Sequence, residues 1–316
     1  MKLQQLRYVL EVYKHNLNVS EAAEALFTSQ PGISKQIRLL EDELGIQIFI
    51  RSGKRVVSVS QPGKAVLELA EKILHDVQNI KNIGNEFTDQ NTGSLTIATT
   101  HTQARYVLPP IVAKFVERYP KVQLSIRQGN PHSISQMVAS GEADFAIATE
   151  SLEEHTDLRT LPCSEWTHAV IVPKEHALLD LQRPLTLEDL STYPLITYEF
   201  AFNNGSSIAR AFQKAYIEPP KVALSSADTD VLKTYVNLGL GIGLMAKIAF
   251  DPEHDHTLRM IPVDHLFEPS STYIALRPDT YLRGYTYDFI NIFSSPLTRQ
   301  KIDQILYAPI EEDFSI

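Results

Sequence analysis

The chain has one cysteine, one tryptophan and no long apolar run, and each shortage excludes something. With Cys163 as the only cysteine there can be no intrachain disulfide, which points to a reducing compartment. No stretch approaches membrane-spanning length, and no basic-then-apolar leader precedes the first helical segment. The expectation is therefore a soluble, cytoplasmic protein with no membrane partner. No low-complexity stretch or short-period repeat is visible. Excess positive charge is missing too: the 316 residues carry a net charge of −9, which argues against nucleic-acid binding over the whole surface. That average hides an asymmetry. Residues 1–62 hold eight Lys/Arg against six Asp/Glu, and the remainder holds 21 against 32. A basic N-terminal module on an acidic body suits localised DNA binding.

The N-terminal segment reads as a helix-turn-helix. Leu3, Leu6, Leu10 and Tyr13 recur at helical spacing and predict a supporting helix over 3–16. Asn18 is placed to cap a short second helix, with Glu21 at the capping-box position. Phe27-Thr28-Ser29 breaks it. Ser29 then caps a third helix, whose first turn holds Gln30 and Pro31, where a missing N–H costs nothing. Ile33, Ile37, Leu40 and Leu44 form its core stripe, and Pro31, Ser34, Lys35 and Arg38 form the opposite, polar-basic stripe. Two β-rich runs follow, joined by Arg51-Ser52-Gly53-Lys54-Arg55, a wing with cations at its tip. The DNA contacts expected from this pattern are Ser29, Gln30, Pro31, Ser34, Lys35, Arg38, Arg51, Lys54 and Arg55. A small helical bundle with a surface hairpin is the plainer alternative.

From Gln61 a long helix begins, with Val66, Ala70, Ile73, Val77, Ile80, Gly84 and Phe87 spaced by four and three. That heptad seam would pair two copies, or else lie on the chain's own C-terminal domain. A polar linker, Asp89 to Gly93, marks a change in composition. Beyond it strands and helices alternate, which implies α/β architecture with parallel strands. The pattern restarts around Leu161 to Pro173, where Trp166 to Val172 is expected as the first strand of a second lobe. The glycine-spaced run Leu240 to Ala246 looks like the return crossing, and a strand at 272–276 with a helix at 282–293 would complete the first lobe. The expected plan is a winged helix-turn-helix over 1–60, a linker helix over 61–92 and a two-lobed domain over 93–316. The first lobe takes about 93–163 and 269–316, the second about 164–268. Two α/β lobes joined by crossing strands leave a cleft for a ligand.

Several motifs carry a resemblance. Thr28 to Gln36 and Leu40 to Gly45 resemble the DNA-binding segment of LysR-type transcriptional regulators. Ala98 to Tyr106 and Ala143 to Glu150 are similar to the branch of that family governing cysteine biosynthesis. The resemblance runs from Met1 to about Thr298. It implies a periplasmic-binding-protein-like effector domain and a homodimer assembling to a homotetramer on promoter DNA, with RNA polymerase as a further partner. It also implies control of sulfur-assimilation genes by acetylserine, with sulfate or thiosulfate as competing ligands, and no cofactor, metal or catalytic residue.

The residues permit a physical reading of that effector site. Thr100, Thr102 and Gln103 fall where a strand gives way to a helix, the position where α/β sheets bind ligands. Helix-start N–H groups favour an anion there, and two hydroxyls and an amide add neutral donors. Thr149 ends a neighbouring strand and is expected at the same spot. Threonines at strand ends are also ordinary caps, and Thr102 is expected to serve as one. Trp166 either closes the cleft or fills core. The resemblance implies that a second-lobe segment, Phe-Thr-Gly-Arg in relatives of this branch, lines the cleft; here Phe202-Asn203-Asn204-Gly205 stands instead, so the arginine is absent and Asn203, in place of a hydroxyl, is expected to donate to the effector carboxylate.

An exported solute-binding protein has no use for residues 1–60. An enzyme is disfavoured because His101, Cys163 and His168 show neither metal spacing nor a nucleophile motif. A LysR-type regulator of an alternative-sulfur-source pathway remains the live rival.

Overall fold

The computed structural model describes residues 1–53, 55–149, 157–203 and 206–307. It divides into two compact units, Met1–Thr88 and Asp89–Ile316. No helix among the described residues is long and apolar enough to cross a membrane.

The first unit comprises α1 (Leu3–Lys14), α2 (Val19–Ala25), α3 (Gln30–Leu44), the strands β1 (Phe49–Ser52) and β2 (Arg55–Val59), and α4 (Gln61–Thr88). The caps read from sequence are present. Asn18 accepts from the Ser20 and Glu21 N–H groups, and Ser29 accepts from Gly32 N–H at 3.2 Å. Glu21 departs slightly from a capping box, because its carboxylate takes the Asn18 side-chain amide at 2.6 Å.

Burial corrects two stripes. On α1 Leu6, Val9, Leu10 and Val12 are buried, while Leu3 and Tyr13 are exposed. On α3 Ile33, Ile37 and Leu40 are buried as expected, but Leu44 is exposed and Glu41 is buried instead. A carboxylate leaves water only when it is well partnered. Glu41 accepts from Ile48 N–H at 2.9 Å and Phe49 N–H at 3.0 Å, and pairs with Arg51 at 2.8 Å. It thus fastens the start of the wing to α3. Gly63 completes the join: a Cβ there would lie 2.1 Å from the Ile48 carbonyl, so only glycine lets α4 start against the wing. Along α4, Leu67 and Ala70 enter the core of this unit, while Ile80 and Phe87 are exposed at 68% and 82%.

The second unit has two five-stranded sheets. In chain order come β3 (Thr92–Thr99), a π turn (Gln103–Val107), α5 (Leu108–Arg118), β4 (Lys121–Gln128), α6 (Pro131–Ala139), β5 (Phe145–Thr149) and β6 (Arg159–Trp166). Then follow β7 (His168–Pro173), α7 (Leu187–Ser191), β8 (Leu195–Thr197), α8 (Ser207–Ala215), β9 (Val222–Ser225), α9 (Thr229–Asn237), β10 (Ile242–Ala246) and β11 (Leu258–Pro262). β12 (Ser270–Leu276), α10 (Gly284–Phe293) and α11 (Arg299–Leu306) close the chain. The first-lobe sheet has the order β4-β3-β5-β12-β6, the second β11-β7-β10-β8-β9. β3 runs parallel to β4 and β5, and β8 runs parallel to β9 and β10, as the alternating pattern required. Each sheet also carries one reversed strand, β12 in the first and β7 in the second, antiparallel to both of its neighbours.

The lobe boundaries differ from those expected. Residues 166–172 are not one strand: Trp166 ends β6 in the first lobe, and His168 begins β7 in the second. The glycine-spaced run is not a crossing but β10, the central strand of the second sheet. Its glycines serve packing: a Cβ on Gly241 would lie 2.3 Å from the Pro194 carbonyl beside β8. The chain returns between β11 and β12 instead.

Because Glu41 holds two N–H groups and a guanidinium, Glu41→Ala leaves all three without their partner. The variant should lose about 3–5 kcal/mol in the first unit. Urea denaturation followed by a reporter in residues 1–88 checks this, and an unchanged midpoint would deny Glu41 that role.

Candidate effector cleft and nucleic-acid interface

Two sites emerge, one in each unit. In the first, Ser29, Gln30, Pro31, Lys35, Arg38 and Arg55 are exposed, and half-buried Ser34 lies 3.4 Å from the Gln30 amide. One helix start and its outer face therefore present the expected polar-basic set. Lys54 lies outside the described residues. Arg51 is corrected: its guanidinium is held by buried Glu41, so it braces the wing rather than standing free for phosphate.

In the second unit a cleft, partly open to solvent, lies between the lobes. The first lobe lines it with Thr100, Thr102, Gln103, Thr149, Ser164 and Thr272, and with Trp166 and Glu165. The second lobe contributes Tyr198, Phe200, Ala227, Ala246 and Ile248. Thr100, Thr102, Gln103, Thr149 and Trp166 thus meet as read from sequence. Asn203 does not: it is exposed and is not among the lining residues, and Phe200 holds the second-lobe wall nearby. Asn204 and Gly205 lie outside the described residues. Glu165 is the only charged residue among the described lining residues, so an anion here is met by neutral donors.

The cleft floor forms because β3 ends at Thr99 and helix starts at once, with the Thr100 carbonyl accepting from Ala104 N–H at 3.0 Å. Pro109 and Pro110 then remove the N–H donors that an α-helix would aim at the Arg105 and Tyr106 carbonyls. The helix widens there into the π turn, a form frequent at functional sites. Thr100, not Thr102, sits at the cap, its hydroxyl 3.5 Å from Gln103 N–H. The Thr102 hydroxyl makes no cap bond; it reaches across to Thr229 at 2.8 Å and Tyr198 at 3.3 Å.

Beside it the lobes are clasped again. Tyr106 donates to Asp230 at 2.5 Å, Arg105 lies 3.5 Å from Asp230, and His101 lies 3.3 Å from Asp228. Burial would raise the Asp230 carboxyl, but the Tyr106 hydroxyl and Lys233 outweigh it and hold that carboxyl below its ordinary range.

Folding thus brings together a histidine and two aspartates that spacing had not linked, with ligand atoms within 4.8 Å of one another. Their charge is already answered: Asp228 caps α9, and Asp230 also has Lys233 at 3.4 Å. Cys163 is half-buried, and burial pushes its thiol up to about 11, which makes it a poor nucleophile. His168 packs 4.7 Å from the Trp166 ring, and burial pushes its imidazole down to about 4, so it is neutral in the fold.

Two buried polar atoms of the cleft have no partner among the described residues: Gln103 Oε1 and Trp166 Nε1. Gln103 Nε2 donates to Thr272 at 3.3 Å, and that hydroxyl serves either orientation of the amide. Gln103 therefore offers the cleft an acceptor or, turned over, a donor. Thr272, Tyr198 and Thr229 were missed in the sequence. Thr272 lies inside β12, Tyr198 just after β8 and Thr229 at the first position of α9, so they share no local mark.

Family models match both units. Residues 3–64 match the bacterial regulatory helix-turn-helix protein of the lysR family, and residues 88–295 match the LysR substrate binding domain. The chain belongs to the LysR family of transcriptional regulators. It is 49% identical to the HTH-type transcriptional regulator CysB of Burkholderia cenocepacia, over 98% of this chain and 99% of that one. It is 47% identical to SsuR of the same organism, over 97% and 99%, and 40% identical to cbl of Escherichia coli, over 99% and 98%. Among solved structures, the cofactor-binding domain of the Cbl regulator is 37% identical with a TM-score of 0.66, covering 70% of this chain and 96% of that one. A full-length OxyR from Pseudomonas aeruginosa shares the fold, with a TM-score of 0.69 at 23% identity over 94% of each chain. As a LysR regulator the chain binds promoter DNA through its first unit and a small-molecule effector through its second.

The Thr102 bridge has a measurable consequence. Thr102→Val keeps the shape and removes one inter-lobe hydroxyl, so it should cost about 1 kcal/mol in urea denaturation of the second unit. An unchanged midpoint would show that the bridge adds nothing to lobe association.

Proposed function

We propose that this regulator controls genes of cysteine biosynthesis and sulfur assimilation in response to a small anionic effector held between its lobes. Acetylserine is the effector of this reading, with sulfate or thiosulfate competing for the same site. The observation that carries it is the cleft floor, where Thr100, Gln103, Thr149 and Thr272 gather hydroxyls and an amide at a helix start. Neutral donors and a helix N-terminus hold a carboxylate or sulfate without a salt bridge. The pathway rests on the near-full-length similarity to regulators named CysB.

Ser29, Gln30, Pro31, Ser34, Lys35 and Arg38 read or orient promoter DNA in this reading, with Arg55 and Lys54 on the backbone. The exposed Ile80 and Phe87 of α4 support pairing of two chains along that helix. Dimers then assemble to a homotetramer that meets RNA polymerase in the cytoplasm.

A second reading, control of an alternative-sulfur-source pathway, is favoured by the nearly equal similarity to the regulator SsuR. A thermal-shift screen of acetylserine, sulfate and thiosulfate tests the first reading, since a ligand of the folded state raises the midpoint. A midpoint unmoved by all three would count against the effector assignment.

For the DNA-binding half, Gln30→Ala should cost about 1–3 kcal/mol on the specific site and relax sequence preference. Fluorescence anisotropy at fixed salt on cognate and scrambled duplexes measures it. Equal losses on both would remove Gln30 from the readers.

A further inference from the structure

The two walls of the cleft differ in chemistry. The first lobe supplies hydroxyls, the Gln103 amide and the Trp166 N–H, and two of these groups have a buried atom with no partner among the described residues. Among the described lining residues the second lobe supplies one polar side-chain group, the Tyr198 hydroxyl, and it is already engaged. It accepts from Ala246 N–H at 3.2 Å and lies 3.3 Å from the Thr102 hydroxyl and 3.2 Å from that of Thr229. A phenol has one proton and two lone pairs, so three partners saturate it. What the second lobe still offers is carbon: Phe200, stacked on Tyr198 at 5.2 Å, and Ile248, which is 50% exposed on a short turn after β10. A half-exposed isoleucine gains little from its own fold, and its place on the cleft wall gives the exposed carbon a use.

We infer that Phe200 and Ile248 are specificity-determining residues that read an uncharged organic body attached to the ligand's anionic head. The inference rests on the reading of this cleft as the effector site, and it names the ligand class: a carboxylate carrying an acyl-sized substituent. Its head sits on the threonines and Gln103 of the first lobe, and its substituent lies against the second. A bare tetrahedral oxyanion fills only the polar floor, because the second lobe has no free side-chain donor among the described lining residues. The distinction has a conformational consequence. A ligand shifts a two-state equilibrium only by its differential affinity for the two states. One that touches both lobes binds the closed arrangement more tightly, whereas a bare oxyanion on the first lobe competes without drawing the lobes together.

The test is calorimetry on the full chain with acetylserine in its N-acetyl form, whose acylated nitrogen is uncharged, and with sulfate. Ile248→Ala removes three carbons from a half-exposed side chain and should leave the unfolding midpoint in place. It is expected to weaken acetylserine about tenfold while changing sulfate less than about twofold. Phe200→Leu, a milder change of the same wall, should weaken acetylserine in the same direction. Equal losses for both ligands, or unchanged acetylserine affinity, would overturn the assignment, as would a wild type that binds sulfate alone. A wild type that binds neither probe overturns the effector-cleft reading itself, and this inference with it. Loss of acetylserine binding in Ile248→Ala where wild type binds acetylserine but not sulfate supports it.

Discussion

The Thr102 hydroxyl, 2.8 Å from Thr229 and 3.3 Å from Tyr198, stands at the centre of the inter-lobe contacts on which the ligand-binding unit depends. It joins a helix start in one lobe to a helix start in the other, beside the floor where a ligand would lie. Around it the Tyr106–Asp230 hydrogen bond and the Arg105–Asp230 and His101–Asp228 contacts make the same connection with charge. Each contact is worth little alone, since water competes for the same groups. Together they place the lobes so that polar floor and apolar wall face one space. The π turn makes this possible: two successive prolines break the α ladder, and the widened turn carries Arg105 and Tyr106, which meet Asp230.

A comparable economy governs the first unit. Glu41 is a charge on the inner face of α3, and it is tolerated because two N–H groups and Arg51 surround it. It fixes the wing against the recognition helix, which sets where the wing's cations stand relative to Gln30 and Arg38. Removing Arg51 would therefore change DNA binding through geometry as well as charge. That differs from losing an exposed phosphate contact, whose mark is a shallower salt dependence.

Much of this was legible in the chain, and the failures share a cause. Helix periodicity and caps depend on neighbours within four residues, so Asn18, Ser29 and the Ile33–Ile37–Leu40 stripe were readable. Leu44 fitted the same period, but the inner face was claimed by Glu41 for partners seven and eight residues away. The strand-to-helix turn at Thr100 was visible for the same local reason, whereas the partners that define its chemistry were not. Thr229 lies 127 residues from Thr102, and Thr272 lies 169 residues from Gln103. Thr102 was therefore read as an effector donor and a helix cap, the roles its immediate neighbours could offer. The glycine run of β10 misled in the opposite way: small residues suggested a crossing, where they permit close approach in the middle of a sheet.

Closure of the two lobes on a ligand leaves a signature that hydrogen–deuterium exchange reads directly. With saturating acetylserine on the full chain, amides in both 100–107 and 227–232 should exchange more slowly, because each segment faces the cleft from a different lobe. Protection confined to one segment, or absent from both while calorimetry shows binding, would contradict closure around the ligand at this site.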